Sequence, residues 1–267
     1  MKTYRVFFLN IKYLNKKMIV YELFIAILFG LYVVSYFHNN SKEISVCFGD
    51  VFLLLFGGIE YKKNSIISYS TWLGFIIILY YPIIAFISKE ISEKKLFAFY
   101  RIKKYKYWYY SNIMNSLLKV FLYLILIYGV VFIIASIFMG FDGIVKADEF
   151  NSLKTSMPLN KLIISIFLLN YLFISAIVLL TISTYLITKN IKIATLIIIT
   201  ITYLTSFIVN GSIGKFLIGN LAMMRQNSSF ITGNKNITFT HSIEVFIFII
   251  IVSLILGHLL YRRNIEI

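Results

Sequence analysis

The chain has 267 residues, of which 60% are hydrophobic, 18% aromatic and only 14% charged. A water-soluble domain of this length carries about a quarter charged residues, and disorder needs low hydrophobicity, so both classes are excluded. The single cysteine, Cys47, excludes a disulfide scaffold. The formal charge of +15 is then to be read as topology, because Lys and Arg collect on the cytoplasmic side of membrane proteins.

In chain order, residues 1–17 form a basic leader. Tyr4, Phe7, Phe8, Ile11 and Leu14 recur at helical spacing, with Lys2, Arg5, Lys12 and Lys16 largely opposite. This pattern predicts an amphipathic helix lying on the inner leaflet. Residues 18–267 read as one transmembrane domain. A spanning helix needs roughly 20 apolar residues, and such runs fall at about 18–37, 66–88, 116–139, 162–188, 193–209 and 243–260. The fourth and fifth are joined only by Lys189-Asn190-Ile191-Lys192, a tight turn. The expected fold is therefore an all-α polytopic membrane protein with six transmembrane helices. The N-terminus, the segment after the second run, the tight turn and the C-terminus together hold 16 basic residues against three acids, Glu90, Glu93 and Glu266. The opposite loops hold nine basic residues and six acids. Both termini are thus expected in the cytoplasm. The first run ends Tyr36-Phe37-His38-Asn39-Asn40, with no small-residue cleavage site, and reads as a retained anchor.

Two segments on the expected outer side are too apolar for simple loops. Residues 44–59 carry Asp50 and close on Gly57-Gly58; they are too short to span and read as an interfacial or re-entrant helix. Residues 210–242 contain Gly219, Asn220, Met223 and Arg225 in an apolar setting, which predicts a short re-entrant element; long loops with apolar content of their own are usually functional. On the expected inner side, residues 89–112 interleave Lys94, Lys95, Arg101, Lys103 and Lys104 with Leu96, Phe97, Phe99, Tyr100 and Ile102, followed by Tyr105-Lys106-Tyr107-Trp108-Tyr109-Tyr110. Basic residues among aromatics also mark single-stranded nucleic-acid binders. In a membrane protein anionic lipid attracts the same side chains, so no nucleic-acid partner is expected. Apolar positions at helical spacing fit a short helix docking in a partner's groove.

Several chemistries lack their residues. There is no GxxxxGK[ST] phosphate loop and no HExxH, and His38, His241 and His258 are isolated. Asp148-Glu149, the one carboxylate pair, sits in a polar stretch suited to solvation. No catalytic residue, metal site or cofactor of this chain's own is expected. Charges within the runs are default functional hypotheses. Glu22 and Lys119 fall near the inner ends of the first and third runs; they are placed either to pair or to snorkel separately to the surface. No charge falls at the centre of a run, which argues against a proton- or sodium-coupled transporter. The fourth run carries Asn170, Ser175, Thr181, Ser183, Thr184 and Thr188. Such hydroxyls either bond back to their own helix or face another helix or a pathway.

Six runs, an amphipathic leader, a basic–aromatic inner segment and an apolar outer segment before the last run resemble the ABC-2 type permeases over nearly the whole chain. More narrowly, Asp50-Val-Phe-Leu-Leu-Leu-Phe-Gly-Gly58, Trp72, the stretch from Arg101 to Trp108, and Gly219-Asn220-Leu-Ala-Met223-Met-Arg225 look like permeases found with bacteriocin and lantibiotic-type peptide clusters in low-GC Gram-positive bacteria. The departures are Tyr107-Trp108-Tyr109-Tyr110 where a Trp-Trp pair is more usual, and Tyr81-Pro82 where a glycine is expected. The resemblance implies a bacterial cell-membrane transport subunit, not an enzyme, that dimerises with itself or a related permease. It would work with a separate ABC ATPase, which binds the ATP and Mg. A coupling helix within 90–104 would dock on that ATPase, with Leu96, Phe97, Phe99 and Tyr100 filling its groove and Lys95, Arg101, Lys103 and Lys104 setting the polar rim. The cargo would be hydrophobic or amphipathic, an antimicrobial peptide exported for secretion or self-immunity. The alternative from another class is a membrane-embedded immunity or sensor protein without ATP-driven transport.

Overall fold

A computed structural model of the chain describes residues 16–40, 48–59, 66–92, 105–139, 158–207, 214–228 and 237–263. The expected leader helix, residues 93–104 of the basic–aromatic inner segment, and residues 208–213 and 229–236 lie outside these. The described elements are helical. They are α1 (Lys16–Asn40), α2 (Phe48–Phe56), α3 (Ile66–Ser92), α4 (Tyr105–Met139), α5 (Leu159–Thr188), α6 (Ile191–Phe207), α7 (Ile218–Leu221) and α8 (Phe239–Arg263), with 3-10 turns at Gly214–Phe216 and Met224–Gln226.

Four helices are long and apolar enough to cross a bilayer: α3 over Trp72–Lys89, α4 over Tyr109–Phe138, α5 over Leu159–Thr188 and α8 over Phe239–Leu260. The first and fifth apolar runs form shorter apolar helical stretches, Ile19–Tyr32 and Ile191–Ser206. The chain is thus a membrane protein by the length and composition of its helices. The third run begins earlier than its hydropathy implies. Helix α4 starts at Tyr105 and runs for 35 residues, so the Tyr-Lys-Tyr-Trp-Tyr-Tyr stretch is its first turns, not a loop.

Side-chain contacts fix the helix directions. Helices α1 and α4 run parallel: Glu22 lies within electrostatic range of Tyr123, and further along Gly30 packs on Ile134. Helix α3 runs parallel to α5, with Trp72 stacked on Phe173 at 5.8 Å and the Tyr80 hydroxyl bonded to Thr181. Helix α8 follows the same direction: Phe246 meets Phe173 at 6.1 Å, and Ser183 Oγ donates to Ser253 O at 3.0 Å. The start of α4 meets the end of α8, where the Tyr110 hydroxyl and His258 Nδ1 are 2.9 Å apart. The turn from α5 to α6 is as tight as its sequence predicts. Lys189 adopts the left-handed conformation (φ 53°), its N–H bonds Tyr185 O at 2.8 Å, and Asn190 Oδ1 accepts from Lys192 N at 3.0 Å as the N-cap of α6.

Helix α5 forms the centre. Every residue from Phe173 to Leu179 is buried, which requires neighbours all around. The hydroxyls along its second half do bond back to their own helix: Thr181 to Ile177 O at 2.7 Å, Thr184 to Leu180 O at 2.8 Å and Thr188 to Thr184 O at 3.0 Å. Thr181 and Ser183 also reach α3 and α8, so part of this row joins helices together.

Candidate functional site

The site begins with α2, nine residues with aromatic anchors at Phe52 and Phe56. Both rings are buried, and so is every residue from Gly49 to Ile59. Phe56 stacks on Tyr128 of α4 at 4.3 Å and meets Phe75 of α3 edge-on at 4.9 Å. Phe52 approaches Tyr128 at 5.8 Å. A helix C-terminus leaves backbone carbonyls unsatisfied, and here Asn170 of α5 supplies a donor: its Nδ2 bonds Phe56 O at 3.2 Å and the Tyr128 hydroxyl at 2.8 Å.

These partners set the depth of α2. Asn170 is eleven residues past the start of α5, Tyr128 eleven before the end of α4, and Phe75 nine past the start of α3. At 1.5 Å per residue the tip of α2 therefore lies about 13–17 Å inside that end of the bundle, or about half the thickness of a bilayer's hydrocarbon core. The tip of α2 is thus packed inside the bundle, between α3, α4 and α5, and not laid on its outer surface. Its backbone is covered by protein on several sides, the condition under which such a segment is tolerated at membrane depth.

The chain turns out of α2 through two glycines with different physical demands. Gly57 N bonds Leu53 O at 3.0 Å, and a Cβ there would lie 2.5 Å from that same carbonyl oxygen. Gly58 has φ +85°, where side chains are strained, and a Cβ would also lie 2.5 Å from Met223 Cγ. The second segment closes on this turn. Arg225 N donates to Gly57 O at 2.9 Å, and its Nη1 lies 3.4 Å from Gly58 O. Arg225 is 3% exposed. Burying a guanidinium costs heavily unless its donors are engaged, so this junction is a specific fit.

The four residues singled out in this segment are therefore all buried, and they serve two neighbours. Met223 and Arg225 face the glycine turn. Gly219 sits on the end of α6, where its N–H lies 3.3 Å from Thr205 Oγ1 and a Cβ would lie 2.8 Å from Ser206 N. Asn220 Nδ2 donates to Gly214 O at 3.3 Å, closing the 3-10 turn. His241, at the start of α8, places Nε2 3.0 Å from Lys215 O. Residues 214–228 thus form a strap tying α6 and α8 to the glycine turn. Asn170 and Tyr128 were not singled out together from sequence. An asparagine within an apolar run was the available signal, but its partner is a backbone carbonyl 114 residues away.

Other expected residues fall elsewhere. Lys95, Leu96, Phe97, Phe99, Tyr100, Arg101, Lys103 and Lys104 lie outside the described residues. Glu22 and Lys119 are both buried, on the parallel helices α1 and α4. The Lys119 ammonium lies 2.8 Å from the centroid of the Phe86 ring on α3, while Glu22 lies within electrostatic range of Tyr123, one turn past Lys119. At the start of α4, Tyr109 is buried in a notch on α8, its hydroxyl filling the place a Cβ on Gly257 would take, with Ser183 beside it.

No protein family, curated protein or solved structure matches the chain.

Proposed function

We propose that this chain is the membrane-spanning permease subunit of an ATP-binding cassette transporter of the ABC-2 type. It exports a hydrophobic or amphipathic substrate, an antimicrobial peptide, for secretion or self-protection. The observation that supports this reading is the buried junction of Gly57, Gly58, Asn170 and Arg225, about 13–17 Å inside one end of the helix bundle. Irregular backbone at membrane depth is tolerated where protein buries it or where it lines a water-filled cavity, and transporters build substrate sites from such interrupted helices. The sequence resemblance to ABC-2 permeases, in the Asp50–Gly58 and Gly219–Arg225 stretches, falls on the two segments that form this junction.

In this reading all six long helices cross the bilayer, with both termini in the cytoplasm. The alternating helix directions and the one-sided distribution of Lys and Arg support it. The re-entrant junction then lies toward the outside. Residues 90–104 form the cytoplasmic docking element for a separate ATPase, and a second permease copy or a related chain completes the transporter. ATP and Mg belong to the ATPase, in keeping with a sequence that has no phosphate loop.

The test is affinity purification of the tagged chain from its native membranes, with the bound proteins identified by mass spectrometry. An ATPase with a phosphate loop is expected near equal amounts. The double substitution Phe97→Asp and Arg101→Glu is expected to abolish its recovery while membrane insertion is unchanged. Full recovery with the double variant rejects the docking assignment. Absence of any ATPase from the wild-type preparation rejects the transporter and favours the immunity or sensor reading.

A further inference from the structure

Glu22 is fully buried, and neither of its carboxylate oxygens has a hydrogen-bond partner among the described residues. Helix α1 packs on α4, α2 and α3. Their ionisable groups include Tyr123 and Lys119 on α4, Asp50 on α2, and Tyr80 and Lys89 on α3. Among the described residues, Tyr123 is the one within electrostatic range of Glu22. That contact places the carboxylate deep. Tyr123 stands midway along the apolar stretch Tyr109–Phe138 of α4, about 21–23 Å from either end at about 1.5 Å per residue. Counting along the first run sets Glu22 near the inner end, whereas the fold sets it opposite the middle of α4. An ionised carboxylate without a partner is costly in apolar surroundings, and the neutral acid is far less so. Ionisable groups at such depth mark function, proton relays among them.

Helix α4 also carries a row of polar side chains from its first turns to that point. Ser111, Asn112, Asn115, Ser116, Lys119 and Tyr123 are all buried. At about 100° per residue they fall within an arc of about 140°, while Met114 and Phe121, which are exposed, stand away from it. Asn115 Nδ2 lies 3.5 Å from Ser111 Oγ, and Ser116 Oγ donates to Asn112 O at 2.8 Å. The side-chain amide of Asn112 has neither its donor nor its acceptor engaged. Buried amides of this kind are satisfied by ordered water. We infer that Glu22 is a proton-binding site in the middle of the bundle, reached from the end where α4 begins by way of this row. A metal ion needs several oxygen ligands, and no group of three His, Cys, Asp or Glu side chains occurs among the described residues. A proton needs one carboxylate and a file of hydroxyls, amides and water. When bound, it leaves a neutral acid that the α1–α4 contact can bury. When released, it leaves a charge that this contact cannot satisfy, so occupancy of the site sets how tightly α1 packs on α4.

The test uses the full chain in lipid nanodiscs, without any ATPase, and dicyclohexylcarbodiimide as the probe. The O–H of a carboxylic acid adds across one C=N bond of this reagent. The carboxyl oxygen bonds to the central carbon, the proton goes to nitrogen and nothing leaves; migration of the acyl group to nitrogen then gives a stable adduct carrying the whole reagent. An ionised carboxylate is not consumed. Mass spectrometry is expected to find the adduct on Glu22 at neutral pH, with labelling that falls several-fold as the pH is raised. Glu22→Asp should keep the label at this position and Glu22→Gln should lose it. Access is read separately, from the infrared C=O stretch of the acid that disappears in Glu22→Gln. That band should shift on transfer to deuterated water, several-fold more slowly in Asn112→Leu and at the wild-type rate in Met114→Leu. If Asn112→Leu does not fold, Ser116→Ala takes its place. Absence of the adduct from Glu22 in the folded wild-type chain at every pH overturns the proton site. Exchange as fast in the row variant as in the wild type overturns the row as its route.

Discussion

Helices α5 and α8 are almost equally apolar, and both are long enough to cross a bilayer, yet 67% of the α5 window is buried inside the protein against 17% of α8. One is the axis of the bundle and the other a wall. Hydropathy cannot separate them, because lipid tails are as apolar as a protein core. Small and polar residues separate them. Helix α5 carries Asn170, Thr181 and Ser183 buried and bonded to α2, α4, α3 and α8, where lipid would offer no such partners. In α8 the buried small and polar positions, Ser242, Ser253 and Gly257, stay with one side, and Phe248, Ile251, Ile255 and Leu259 are exposed opposite. A helix turns toward lipid the face it can leave bare.

The contrast can be broken by mutation, with stability followed by thermal unfolding in detergent. The largest loss is expected for Phe173→Ala in α5. The ring is fully buried between Trp72 and Phe246, and removing such a ring costs about 3–5 kcal/mol. Next comes Asn170→Leu, which strips the donor from Phe56 O and the Tyr128 hydroxyl. A buried acceptor left unsatisfied costs about 1–3 kcal/mol. Loss of α2 docking should show as new accessibility of a cysteine at position 53 to a membrane-impermeant maleimide, in a background where Cys47 is replaced. On α8 the one sensitive place should be the notch. Gly257→Val displaces the Tyr109 ring and is expected to cost about 1–3 kcal/mol by overpacking. The smallest effect is expected for Phe248→Ala, 66% exposed on the opposite face, at about 0.5 kcal/mol or less. If Phe248→Ala proves as damaging as Phe173→Ala, α8 is covered by another protein chain and not by lipid alone.

Legibility followed the range of the interactions. The apolar runs and the tight turn at Lys189-Asn190 were readable because each is made by neighbours in sequence. So was the apolar helix preceding Gly57-Gly58, although its depth was not. Whether residues 44–59 lie on the surface or dip inward depends on Tyr128, Asn170 and Phe75, which arrive from three separate helices. The start of α4 was misplaced for a related reason. Tyr105 to Tyr110 look interfacial by composition, but the fit of Tyr109 against Gly257 and the bond of Tyr110 to His258 need a partner about 150 residues downstream. For Glu22 and Lys119, counting along each run placed the pair at similar depth. It could not show that Phe86 stands within reach of the same ammonium.

By itself the sequence determined the membrane class, the helical content, the positions of the apolar runs and the absence of a phosphate loop, because these depend on composition and local spacing. Only the tertiary structure decided which helix is central, how deep α2 penetrates and that Arg225 closes on the glycine turn. Those outcomes depend on long-range contacts between groups whose type is common and whose meeting is specific.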